Sequence, residues 1–284
     1  MKNALSRRTL LARGSTAAAV ALAAGISRSF GASGDRGFKI GATDWNLGKT
    51  SDPAAFEVAR QIGLDGVQVS LGTVKNNMHL RQPDVQKAYL DASKATGVAI
   101  ASLAIGELNN VALKSEPVAA IWLADAIPVM TAIGVKVVLV AEFANGELKG
   151  DTKGIDRTVA VLKDLAPRAE KAGVILGIEN YLSAEENLAI LDRVQSPAVQ
   201  VYYDVGNSSD KGYDIYAEIR QLKGKICEFH AKDGHRVLGR DAPRVDFKKV
   251  REAMDAIDYR GWISPLGAAS SPAPADRWCR ATPA

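Results

Sequence analysis

Cysteine is scarce in this 284-residue chain, with two residues, Cys227 and Cys279, and histidine amounts to three. Two cysteines exclude a disulfide framework for a domain of this size, and Cys227 reads as a small buried side chain inside an apolar strand-like run. The chain also lacks a glycine-rich phosphate loop. Its first strand-like run continues into "GATDWNLG", which is neither a P-loop nor a dinucleotide fingerprint. A lasting excess of charge is missing as well. The formal net charge of +4 rests on Lys2, Arg7, Arg8, Arg13 and Arg28, and removing those five positives leaves −1. A nearly neutral body gives no basic footprint for nucleic acid.

What is present begins with a basic "MKNALSRRTLLARG" followed by "STAAAVALAAGI", twelve weakly apolar residues and then small ones. Twelve fall short of the roughly 20 needed to span a bilayer, so a stable membrane anchor is not expected. The arrangement reads as an export signal. Ser6-Arg7-Arg8-Thr9-Leu10-Leu11 resembles the twin-arginine signal, which implies export of the folded protein to the periplasm and cleavage near Gly31 or Ala32. Residues 1–32 are therefore set apart from the fold.

From there, short β-rich runs alternate with helical patterns. The runs are "FKIGATDW", "GLDGVQVSLG", "GVAIASLAIG", "GVKVVLVAEF", "GVILGIENY", "VQVYYDVGN", "KICEFHAKD" and "GWISPLG". Helix candidates between them cover Pro53–Ile62, Pro83–Thr96, Ser115–Ile133, Asp156–Lys171, Ala184–Arg193, Tyr213–Leu222 and Phe247–Ile257. Eight such repeats predict an α/β fold, a closed (β/α)₈ TIM barrel over residues 33–266, with a doubly wound open sheet as the rival. No linker or second domain is visible.

In a barrel of this kind the chemistry sits at the C-terminal strand ends. Those ends are polar here: Asp44-Trp45-Asn46, Glu142, Glu179-Asn180, Asp204 and His230. Alternation puts Ile175, Gly177 and Glu179 on one face, and likewise Gln200, Tyr202 and Asp204, and Ile226, Glu228 and His230. Three consecutive strands thus aim Glu179, Asp204 and His230 inward at the same end. Two carboxylates and an imidazole suit a divalent cation such as Mn²⁺, Mg²⁺, Co²⁺ or Zn²⁺. Each also has an ordinary reading: Glu179 as partner of a basic residue, Asp204 as a turn or helix cap, His230 as a hydrogen-bonded rim residue.

Over Phe38–Ile263 the chain resembles the xylose isomerase-like barrels, which include sugar isomerases, epimerases and endonuclease IV-type repair enzymes. In the ketose 3-epimerase branch a Glu, an Asp and a His ending strands five to seven bind the metal, and Glu179, Asp204 and His230 match them. The resemblance further implies that Glu185 supports the polar network, that Arg236 contacts substrate oxygens, and that Asn207 hydrogen-bonds substrate. It implies a loop role for His235. Trp45 suits either stacking on a sugar face or packing at the barrel mouth. Three histidines in all are too few for the three-zinc repair enzymes, and His79 is not expected to be a ligand.

The pattern breaks at strand eight. Where the family reads Gly-Trp-Ile-x-x-Glu, with the Glu as fourth ligand and acid/base, this chain reads Gly261-Trp262-Ile263-Ser264-Pro265-Leu266. Residues 267–284 contain no Leu, Ile, Val, Met or Phe but do contain Pro272, Pro274 and Pro283, so no amphipathic eighth helix is expected there. The abrupt change after Ile263 is what a frame-altered C-terminus on an ordinary barrel would show. An uncovered wall would lower stability or offer an association surface, self-association included.

The expected activity is that of a metal-dependent sugar isomerase or epimerase, with Glu179 as base next to a carbonyl and the metal stabilising an enediolate. The alternatives are a lyase or hydrolase of 3-keto sugars or glycosides at the same site, or a carbohydrate-binding barrel impaired by Leu266. Lys232, Arg236, Arg240 and Arg244 could receive an anion, or could form a solvated loop balanced by Asp233 and Asp241.

Overall fold

The computed structural model describes residues 37–233 and 243–266. Eight parallel strands form a closed ring in chain order: β1 Lys39–Thr43, β2 Gly66–Ser70, β3 Ala99–Ile105, β4 Val137–Ala141, β5 Ile175–Glu179, β6 Val199–Asp204, β7 Ile226–Ala231 and β8 Trp262–Pro265. The ring closes where Lys39 faces Trp262 and Ile40 faces Ile263. Helices α1 Ala55–Ile62, α2 Pro83–Thr96, α3 Pro117–Ile133, α4 Thr152–Ala172, α5 Ala184–Val194, α6 Val205–Asp210, α7 Ile215–Leu222 and α8 Phe247–Ala256 connect them. This is the (β/α)₈ barrel that the alternating runs predict.

The repeated Gly before an apolar run has a local cause. α4, for example, ends on Gly173 at φ +66°, a left-handed conformation that costs glycine little, and its N–H returns to the carbonyls of Ala169 and Glu170. The chain is thereby turned into β5 within two residues. α4 starts at Thr152, earlier than the predicted Asp156, because the Asp151 carboxylate caps it by accepting from the Gly154 N–H at 2.8 Å. The sequence reading missed α6 altogether. It follows β6 without a loop, Asp204 being both the last strand residue and the N-cap.

Outward-facing strand residues such as Val69, Ile105, Val140, Ile178 and Phe229 pack against Leu123, Met130, Leu162 and other helix residues in one apolar shell. Each fully buried aliphatic or aromatic side chain there is worth roughly 1.5–3 kcal/mol. The ring interior is different: a small apolar group of Ala104, Val137, Leu139 and Tyr202 shares it with buried Gln68, Ser102, Glu228 and Ser264.

The predicted alternation fails at one point. The β6–β7 register shifts between Val201 and Tyr202, so Ile226 joins the outer shell and Cys227 packs with the inner group. Ile226 therefore does not share a face with Glu228 and His230. A strand bulge inserts one extra residue, and every side chain before it changes sides. The leader, the tail from Gly267, and Cys279, His235, Arg236, Arg240 and Asp241 lie outside the described residues. Among the described residues, no helix is long and apolar enough to cross a membrane.

Candidate metal and sugar site

The C-terminal strand ends surround a pocket of about 410 Å³ whose lining includes Trp45, Glu107, Glu179, Tyr181, Asn207, His230, Lys232 and Leu266. Glu179 and His230 line it and Asp204 lies next to them; all three are buried, and each offers one ligand atom within 4.8 Å of the others. The Glu179 Oε1 lies 2.8 Å from His230 Nδ1. Asp204 divides its two oxygens. Oδ1 accepts from the N–H groups of Gly206 (2.8 Å) and Asn207 (3.0 Å) as the cap of α6. Oδ2 is buried without a well-formed hydrogen bond and has the Lys232 ammonium at 3.0 Å. The ordinary reading of Asp204 as a cap and the ligand reading are thus compatible, one for each oxygen.

Burial, and next to it the nearby Glu179 charge, push the Asp204 carboxyl up to about 6, against the opposing pull of Lys232 and His230. Two buried carboxylates and an imidazole this close suit a divalent cation, which would neutralise both acids. The buried Oδ2 of Asp204, met only by the Lys232 ammonium, is a ready ligand atom. By donor type and spacing these residues fit such an ion.

The structure brings Trp45 and Asn207 to the same pocket. Trp45 is half-buried against the inner apolar group, so packing at the mouth and lining the pocket go together. Leu266 also lines the pocket, as its shared parity with Trp262 and Ser264 predicts, and its N–H bonds the Ala231 carbonyl at 2.8 Å.

Glu185 is not brought there. It is exposed on the first turn of α5, because the Ser183–Glu186 capping box fixes the helix phase so that Ala184 and Asn187 turn inward. The buried acid beside that turn is Glu218, which accepts from the Ala184 N–H and the Tyr203 hydroxyl, both at 2.7 Å. His79 also stays out of the pocket, its ring stacked edge-on with Tyr89 at 6.0 Å. Arg244 pairs with Asp210 at 2.8 Å, while its backbone N–H bonds the Asp233 carboxylate, and among the described residues of that group Lys232 is the cation lining the pocket.

Several residues in and under the site escaped the sequence reading. The sequence places Lys232 in an anion-receiving or solvated loop, although its position two residues after His230 also suits a turn back over strand six. Glu107 and Tyr181 line the pocket from connections after β3 and β5. Gln68, Ser102 and Glu228 sit beneath it. Behind the wall, Asp44 ties β1 to β2 by accepting from the Ser70 N–H and hydroxyl, both at 2.8 Å.

A family model described as "Xylose isomerase-like TIM barrel" matches residues 56–276. The 2-epi-5-epi-valiolone 7-phosphate 2-epimerase of Actinoplanes sp. is 28% identical over 200 residues, covering 69% of this chain and 73% of that one. The L-ribulose-5-phosphate 3-epimerase UlaE of Escherichia coli is 24% identical over 222 residues, covering 72% and 78%. Among solved structures, D-psicose 3-epimerase with D-tagatose from Clostridium cellulolyticum H10 superposes with a TM-score of 0.69 at 18% identity, covering 80% of this chain and 84% of that one.

Proposed function

The chain belongs to the xylose isomerase-like TIM barrel family, and we propose that within it the protein is a metal-dependent sugar epimerase or isomerase acting next to a carbonyl. The observation that carries this reading is the convergence of Glu179, Asp204 and His230 at the pocket. The names of the relatives, epimerases of sugars and of sugar or cyclitol phosphates, support it. A divalent cation held by these three residues would supply Lewis-acid polarisation of the sugar carbonyl and its neighbouring hydroxyl.

The chain's own residues supply the rest. Glu179 takes the proton from the carbon beside the carbonyl. Placed with one oxygen beside His230 Nδ1, it reaches one face of the substrate. Asn207 and Trp45 hold and orient the sugar from the rim, and Arg236, beyond the described residues, donates to substrate oxygens. Returning the proton on the same face to the former carbonyl carbon, while the hydroxyl proton passes to the former carbonyl oxygen, achieves aldose–ketose isomerisation with one carbon base. Inversion of a carbon requires a donor on the opposite face, where this chain has Leu266.

Leu266 therefore favours a second reading, a barrel that binds sugars without completing inversion. Both are tested by incubating the mature protein and Mn²⁺ in D₂O with ketoses, aldoses, their phosphates and 3-keto glycosides. Deuterium next to the carbonyl, lost on chelation and in Asp204→Ala and His230→Ala, is the expected result. Binding with no exchange in any sugar rejects the enzyme reading in favour of the binding barrel. Arg236→Ala should impair turnover and leave metal content intact. Export is part of the proposal: the twin-arginine-like leader would deliver the folded barrel to the periplasm, and the N-terminal sequence of the exported form tests it.

A further inference from the structure

Under the candidate metal site lies a hydrogen-bond network of buried side chains from four strands. The Ser102 hydroxyl donates to Glu228 Oε2 at 2.8 Å, and the buried Tyr202 hydroxyl belongs to the same group. The Gln68 amide nitrogen donates to Ser102 Oγ at 2.9 Å and to the Tyr202 hydroxyl at 3.0 Å. The Gln68 amide oxygen faces His230 Nε2 at 3.4 Å, and the other ring nitrogen, Nδ1, faces Glu179.

Counting protons gives this network a direction. The Ser102 hydroxyl has one proton and spends it on Glu228, so toward Gln68 it accepts. The Tyr202 oxygen faces the same amide nitrogen, and only the NH₂ end of the amide can donate to two oxygens at once. The amide carbonyl is thereby turned toward His230, where an N–H on Nε2 completes the chain. A histidine ligand commonly donates its second ring N–H to such a carbonyl, which fixes the ring and raises its basicity.

We propose that Gln68, oriented by the Ser102 and Tyr202 hydroxyls, is the positioning residue that holds the His230 ring by its Nε2–H and presents Nδ1 to the cation beside Glu179. The inference rests on the metal reading of the site, but its structural half can be read separately. The sequence gives no local sign of it, because Gln68, Ser102, Tyr202 and Glu228 sit on β2, β3, β6 and β7 and meet only when the ring closes.

The test is NMR of ¹⁵N-histidine protein loaded with Zn²⁺, which has three histidines to assign, together with calorimetry of Zn²⁺ binding. In wild type the His230 Nε2 should carry a proton that exchanges slowly with water, with Nδ1 on the metal. Gln68→Met should expose that proton to fast exchange and weaken Zn²⁺ about 10- to 100-fold, the usual cost of losing such a partner. Ser102→Ala, a milder change that frees the amide to rotate, should move both readouts the same way by less and serves if Gln68→Met fails to fold. A folded Gln68→Met or Ser102→Ala protein with unchanged exchange and affinity overturns the proposal, as does a wild type that binds the metal through Nε2. A folded wild type that takes up no Zn²⁺ overturns the proposal too, because it removes the metal site itself. In that case the exchange assay with Mn²⁺ and its loss on chelation still decide the proposed function on their own.

Discussion

The Lys232 ammonium lies 3.0 Å from Asp204 Oδ2, its side chain crossing Gly206 at a point where a Cβ would fall 2.3 Å from the lysine Cγ. The glycine leaves the groove through which this lysine reaches the buried acid, and the lysine supplies one positive charge where two carboxylates converge.

Lys232→Met should therefore have opposite effects on the two states of the site. Without metal, the buried carboxylates lose their counter-charge and stability falls, by less than the ~3–5 kcal/mol typical of breaking a fully buried pair because the lysine is partly exposed. With metal, a competitor for Asp204 is gone. The rise in Tm on adding saturating Mn²⁺ should be larger in the variant than in wild type, and an equal or smaller rise contradicts this balance.

The pH dependence follows from Asp204, which burial and Glu179 raise from 3.8 to about 6. A carboxyl raised on folding binds its proton more tightly in the folded state, so the stability it contributes is fully present below about pH 4 and is lost as pH rises through about 6. Metal binds only the ionised form, so its affinity should climb over the same interval. Denaturant melts of chelated protein at pH 4, 5, 6 and 7, compared with Asp204→Asn, test this. The fall across that window should be smaller in the variant.

Leu266→Glu places a carboxylate on the pocket wall beside His230. It should tighten metal binding and bring inversion activity up by part of the about 10²- to 10⁴-fold that a general acid–base group supplies. Pro265 pairs with Ala231 and its carbonyl accepts from the Asn46 side chain at 3.4 Å, so Pro265→Ile with Leu266→Glu is the companion variant. If both fold and neither changes metal affinity or epimer formation, position 266 does not serve the site.

Glu142, buried at the end of β4, has no well-formed hydrogen bond on either carboxyl oxygen, and burial raises it to about 8, with Asn180 and Thr158 easing the shift. The stability it contributes is fully present below about pH 4.5 and is lost progressively as pH rises from there through about 8. Glu142→Gln lacks this loss, so in urea unfolding its stability relative to wild type should climb between about pH 5 and pH 9. A variant as sensitive to alkali as wild type would show that this carboxyl is already ionised at neutral pH.

The barrel was legible because strand and helix periods differ and the glycine after each early helix marks the boundary. Glu179, Asp204 and His230 were legible because all three end consecutive strands, where alternation needs only the last few residues to be regular. Ile226 was misplaced because a bulge leaves no compositional trace. Glu185 was misplaced because a six-residue spacing says nothing about the phase of a helix, which Ser183 and Glu186 decide. Gln68 stayed invisible because a buried amide and a surface amide look alike until the partners from distant strands are known.

The ring joint between β1 and β8 has a consequence for biosynthesis. β8 has four residues and meets β1 through Lys39–Trp262 and Ile40–Ile263 alone. While the chain is being made, β1 has β2 on one side and an open hydrogen-bonding edge on the other, a template for mispairing. That edge stays open until almost all the described chain has left the ribosome. The nascent protein is thus most prone to aggregate in the interval before its last strand arrives, and slowing translation late in the message should lower the soluble yield more than slowing it early.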